Sequence, residues 1–211
     1  MKTRAAHPCA VLLLVAAIVL PAAALKYPLS AKEILEAYSL GRKKDENMSR
    51  FLVPYTERYP APESGPHVAM IRLETPYVQI VDRASKDPKF DVQRAQDEFL
   101  GKPQVVRVIV RIEFTRTYSR LLFSKPDEFV WRRPDFWRDF KIRLLQNQEI
   151  APQKVRGEPE YEGAPIPKSM TGAVVTVEFD AVKIQSEPGK VEVLTPDGQH
   201  IEAKFNFKKL K

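Results

Sequence analysis

The stretch from Gln104 to Tyr118 constrains the fold more than any other part of the chain. Val106, Val108, Val110, Ile112 and Phe114 fall on alternate positions, with Arg107, Arg111, Glu113, Thr115 and Thr117 between them and Ile109 as the exception. A period of two places one set on a buried face and the other on a solvated face, which describes a strand in a sheet covered on one side. The C-terminus repeats it: Ile201, Ala203, Phe205 and Phe207 alternate with His200, Glu202, Lys204, Asn206 and Lys208.

Turn chemistry separates these segments. Pro196-Asp197-Gly198 makes residues 190 to 208 a β-hairpin, and Glu187-Pro188-Gly189-Lys190 suits a type II turn with Gly189 at positive φ. From 173 to 185 the apolar phase slips by one near Ala181, as at a bulge or a change of sheet. Further strands are predicted over 68–73, 77–83, 136–145 and 150–156. Sixteen of the 18 prolines follow residue 24, which leaves no room for a long helix after residue 54.

Helical spacing occurs in two places. Ser30-Ala31-Lys32-Glu33 has the form of a capping box, followed by Ile34, Leu35 and Tyr38. Asp91 to Leu100 forms a short amphipathic segment stopped by Gly101-Lys102-Pro103. The pattern therefore predicts a mainly β chain, an antiparallel β-sandwich with an N-terminal amphipathic helix and one short helix between strands; a partly closed barrel is the alternative. The expected divisions are a helical segment at 25–53, a proline-rich connector at 54–66 and the sandwich at 67–211.

The first 24 residues read as an address. Lys2 and Arg4, an apolar run from Ala10 to Leu20, and Ala22-Ala23-Ala24 have the order of a cleaved secretory signal peptide. Cys9, the single cysteine, precedes the apolar run, so a chain cut after Ala24 has no thiol and forms no disulfide. This combination favours a bacterial periplasmic or secreted protein, although Asn47-Met48-Ser49 is a glycosylation sequon.

Few motifs suggest chemistry. Nucleotide-binding, dinucleotide-binding, serine-hydrolase and zinc-protease signatures are lacking, and His67 and His200 stand in no metal-ligand spacing. No cofactor, metal or catalytic residue is expected from the sequence. Glycosidase-like chemistry needs only two carboxylates brought together by the fold, and sequence does not show such pairs; Asp135 with Asp139, and Glu158, Glu160 and Glu162, are the visible clusters.

Charge gives the one pattern above background. Residues 102 to 143 carry 11 basic and 5 acidic groups, whereas 25–101 hold 12 of each and 144–211 hold 9 and 10. Arg107, Arg111, Trp131, Arg132, Arg133 and Trp137 are the candidate binding residues, because guanidinium beside aromatic rings suits an anionic partner. The reading is an exported, soluble, non-enzymatic binding or accessory module of the cell envelope. Its expected partners are an envelope protein, an anionic polymer or lipid headgroups, rather than nucleic acid. Two alternatives accompany it: anionic lipid or polysaccharide binding through 102–143, and a carboxylate-dependent hydrolase. The segment 157–168, acidic and then proline-rich, is expected to be a loop, either solvated or partner-binding.

Overall fold

The computed structural model describes residues 27–115, 118, 133–162 and 169–211. The leader read at 1–24, Trp131 and Arg132, and the 163–168 part of the expected loop lie outside the described residues. Two antiparallel sheets pack face to face as a sandwich, with no closed barrel. The first sheet has the order β1 (Thr56–Arg58), β2 (Pro66–Glu74), β3 (Val105–Phe114), β7 (Ser169–Asp180) and β6 (Lys154–Glu162). The second runs β5 (Glu149–Ile150), β4 (Lys141–Leu145), β8 (Pro188–Leu194) and β9 (His200–Asn206).

Alternation decides which faces meet. Val106, Val108, Val110 and Ile112 of β3 and Ala173, Val175, Val177 and Phe179 of β7 are buried against Leu144, Val191, Val193, Ala203 and Phe205 from the second sheet. Fully burying a side chain of this size contributes roughly 1.5–3 kcal/mol each relative to exposure, so this cluster dominates the fold. At one side of the sandwich the Tyr59 hydroxyl donates to the Glu202 carbonyl at 2.8 Å and Gln199 donates to the Ser64 carbonyl at 3.3 Å, which ties the connector after β1 to β9 and its turn.

Four helices form a lobe with its own core. Helix α1 (Ala31–Lys43) starts at the capping box: the Glu33 amide donates to Ser30 Oγ at 3.3 Å and the Ser30 amide donates to Glu33 Oε2 at 2.8 Å. Helix α2 (Glu46–Leu52) follows; α3 (Pro76–Lys86) and α4 (Val92–Phe99) are inserted between β2 and β3. Ile34 and Ala37 of α1 pack on Tyr77, Ile80, Val81 and Ala84 of α3, with Phe90 and Ala95 beside them.

Several local expectations are corrected. Residues 77–83, expected as a strand, are helical, because Thr75 caps the Val78 amide at 3.3 Å and Pro76 occupies the first turn, where its missing N–H costs nothing. Residues 136–139 form a 3₁₀ turn, and only 141–145 of that expected strand is extended. The phase slip at Ala181 marks the end of β7: the chain leaves the strand through a 3₁₀ turn at Ala181–Lys183. Gly189 lies inside β8 and is not at positive φ; a Cβ there would meet Phe207 at 2.8 Å, so close packing excludes a side chain. Residues 157–162 of the expected loop belong to β6. The hairpin turn is as expected, with Gly198 at φ 87°.

Candidate functional site

The outer face of the first sheet carries Arg107 and Arg111. Strand register sets Glu74, Arg107, Glu178 and Lys154 in one row across β2, β3, β7 and β6, so acid and base alternate. Glu178 lies 3.4 Å from Arg107 Nε and accepts from Arg156 at 2.7 Å. Arg111 Nε stands 3.1 Å from Glu160 and 3.4 Å from Glu113. A hollow of about 240 Å³ lies on this face, lined in part by Glu74, Arg107, Arg156 and Glu178. Burial pushes the Glu74 carboxyl above its ordinary value, opposed by the nearby Arg72 guanidinium 3.3 Å away. Compensation by neighbouring acids leaves the two arginines little free field for an anion.

A larger cleft lies on the opposite side of β7, between the sheets. It measures about 510 Å³ and is bounded by β4 on one side and by β6 and β7 on the other. Val175 and Val177 are buried at its base, whereas Val155 on the β6 wall remains 47 % exposed. Trp137, Phe140 and Ile142 supply the facing wall. Trp137 reaches this position because the 3₁₀ turn at Phe136–Asp139 delivers the chain into β4, and because Gly157 has no side chain: a Cβ there would collide with the indole.

The rim is polar and mainly cationic. Arg138, Lys141, Arg143 and Glu149 are its charged lining residues, and all four are exposed. Arg143 is engaged, donating to Glu192 at 2.7 Å with Glu149 at 3.8 Å. Arg138 is exposed, 3.6 Å from Asp135, with its guanidinium 5.1 Å from the centre of the Trp137 ring. Lys141 is exposed and enters no ion pair among the described residues. An anion at the mouth therefore meets one unengaged ammonium and one loosely held guanidinium.

Of the sequence candidates, Trp137 lines the cleft, Arg107 and Arg111 lie on the other face of the first sheet, and exposed Arg133 stands 3.6 Å from Asp135. The structure does not gather Trp137, Arg107 and Arg111 into one site. Arg138 and Lys141 are not among the sequence candidates, although both fall in the basic segment and Lys141 alternates with Phe140 and Ile142. Val175 and Val177 show in the sequence only as the apolar face of a strand, and Val155 shows nothing, since only the stacking of two sheets makes them a wall.

On the outer face of the second sheet, donor atoms of Glu192, His200 and Glu202 lie within 4.8 Å of one another, a spacing that suits a cation. Lys190 fills that role: its ammonium is 2.6 Å from Glu192 and 2.5 Å from Glu202. Hydrogen bonding to Lys190 holds both carboxyls below their ordinary value, and the same bonds, to Glu192 first, raise the lysine. His67 serves the fold, with Nε2 2.8 Å from the Tyr59 carbonyl.

No family model, curated protein or solved structure matches the chain.

Proposed function

We propose that this protein is an exported, non-enzymatic binding module of the envelope whose ligand is anionic and enters the cleft between the sheets. The observation that carries this reading is the origin of one side of the cleft, wall and rim together. Trp137, Arg138, Phe140, Lys141, Ile142 and Arg143 all belong to the segment that holds the chain's excess positive charge. Export is supported by the order of charged, apolar and small residues before Leu25. Among the described residues no helix is long and apolar enough to cross a membrane.

Two other readings fare less well. A hydrolase built on the acid clusters visible in the sequence would use Asp135, which stands 3.6 Å from both Arg133 and Arg138, or Glu160 on β6, which stands 3.1 Å from Arg111, so these carboxylates are engaged by arginines. An assembly subunit that adds strands at an edge would need a long open edge. Here β1 has 3 residues and β5 has 2, β9 is tied to the connector by Tyr59, and the nine-residue edge strand β6 carries Pro159 and a register shift at Glu160/Tyr161. Short, covered and proline-bearing edges discourage pairing with another chain.

The test is binding of the purified protein to phosphatidylglycerol-containing vesicles and to pure phosphatidylcholine vesicles, at low and high salt. Anionic vesicles are expected to retain the protein at low salt, with binding lost in Arg138→Glu/Lys141→Glu and kept in Arg107→Gln/Arg111→Gln. Binding that ignores salt, or that follows the second pair and not the first, overturns the reading. Export is checked separately by the N-terminal sequence of protein recovered outside the cytoplasm of an expressing bacterium, expected to begin at Leu25.

A further inference from the structure

We infer that the ligand is a single-chain anionic amphiphile, with its acyl tail between the sheets against Val155, Val175 and Val177 and its headgroup at Lys141 and Arg138. This rests on the anionic-ligand reading and names the chemical class.

The division of the cleft into an apolar interior and a polar mouth carries the inference. Its apolar lining is Val155, Val175, Val177, Ile142, Phe140 and the Trp137 ring, and every charged lining residue, Arg138, Lys141, Arg143 and Glu149, is exposed to solvent. A sugar seated there would bury hydroxyls against aliphatic groups with nothing to receive them, and each unmatched hydroxyl costs binding. An acyl chain has no such groups and is favoured by every methylene removed from water.

Size and exposure agree with this occupant. A volume of about 510 Å³ falls within the roughly 300–1,000 Å³ of small-ligand sites. Val155 is nearly half exposed on the wall of the cleft, so a tail lying against it would cover apolar surface that the protein leaves wet. The head must be anionic because Arg143 is committed to Glu192 while Lys141 has no acidic partner among the described residues. A carboxylate, sulfate or phosphate on Lys141 gains a charge-assisted hydrogen bond.

The Trp131→Phe protein makes the test direct, since the chain has two tryptophans and Trp137 becomes the sole reporter. It would be titrated with octanoate, decanoate and dodecanoate below their micellar concentrations, with 11-bromoundecanoate as a quencher and dodecanol as the uncharged control. The expected result is saturable quenching of Trp137 by the brominated acid. Affinity should rise about tenfold for each two methylenes until the cleft is full, and dodecanol should bind at least about tenfold more weakly. Val155→Asn, at a half-exposed site that tolerates a polar group, should weaken the acids about tenfold without touching the rim charge. Lys141→Glu should weaken the acids and leave dodecanol unchanged.

Affinity that does not depend on chain length, or quenching unaffected by Val155→Asn, overturns the tail assignment. If the vesicles described above still bind in a salt-sensitive way while the fatty acids fail, this inference falls and the anionic-binding reading stands. If neither binds, both fall.

Discussion

The indole of Trp137 fills the space beside Gly157 that any other residue's Cβ would occupy. One residue belongs to the turn before β4 and the other to edge strand β6, so the contact joins the two sheets at the cleft. Gly157→Ala should therefore displace the ring. In the Trp131→Phe background the emission should move to the red, and overpacking should cost about 1–3 kcal/mol in denaturant unfolding. Unchanged emission and stability would show that the indole is free to move aside.

Gly41 makes the same kind of contact inside the helical lobe, with the opposite ordinary expectation. Replacing a helical glycine by alanine usually stabilises by roughly 0.5–1 kcal/mol. At Gly41 of α1, however, a new Cβ would overlap the Val81 carbonyl oxygen and stand 2.9 Å from the Ala84 Cβ on α3. Steric overlap between two packed helices should win, and Gly41→Ala is expected to destabilise by about 1–3 kcal/mol. A higher midpoint in urea would mean that α1 shifts on α3 with little resistance.

The fold was more legible in the chain than the site, for reasons visible at particular residues. Val106 to Ile112 alternate, apart from Ile109, because β3 is the central strand of a sheet with one wet face. The capping box at Ser30 and the turn at Gly198 are local chemistry that needs no tertiary partner. By contrast, the strand expected over 77–83 runs against the helical spacing of Tyr77, Val78, Ile80, Val81 and Ala84, and the cap and first-turn proline at Thr75-Pro76 set where that helix begins. The cleft was illegible because Lys141 and Val155 become neighbours only through the packing of one sheet on the other. Arg107 and Arg111 stand out in the sequence as charges, yet their neutralising acids, Glu178 and Glu160, lie on other strands.

The cluster on the outer face of the second sheet makes a pH prediction. Glu192 and Glu202 have carboxyls lowered by Lys190 from the ordinary value of 4.5, so their contribution is complete above about that pH and is lost as pH falls through the lowered values. Lys190 is raised from 10.5, so its contribution is complete below about that pH and disappears as pH rises through the raised value. Thermal stability should thus fall at both ends of the range. Lys190→Met should flatten both limbs relative to the parent protein; limbs of undiminished slope would place the titrating groups elsewhere.

Gln79 tests how the helical lobe is held on the sandwich. Its side chain is almost fully buried, and its amide nitrogen donates to the Glu74 carbonyl at 3.1 Å and to the Val105 carbonyl at 2.8 Å. The first acceptor ends β2 and the second begins β3, so one side chain on α3 closes both ends of the helical insertion. Gln104 works beside it, accepting from the Leu29 amide at 3.3 Å and donating to the Phe99 carbonyl at 2.8 Å. Gln79→Leu keeps most of the volume but leaves the two carbonyls without that donor, at a cost of about 1–3 kcal/mol. The loss should appear first as faster hydrogen exchange in α3 and α4, with β3 and β7 protected as before, because the inter-sheet core does not depend on these bonds. Exchange that accelerates equally in β7 would mean that lobe and sandwich unfold as one cooperative unit.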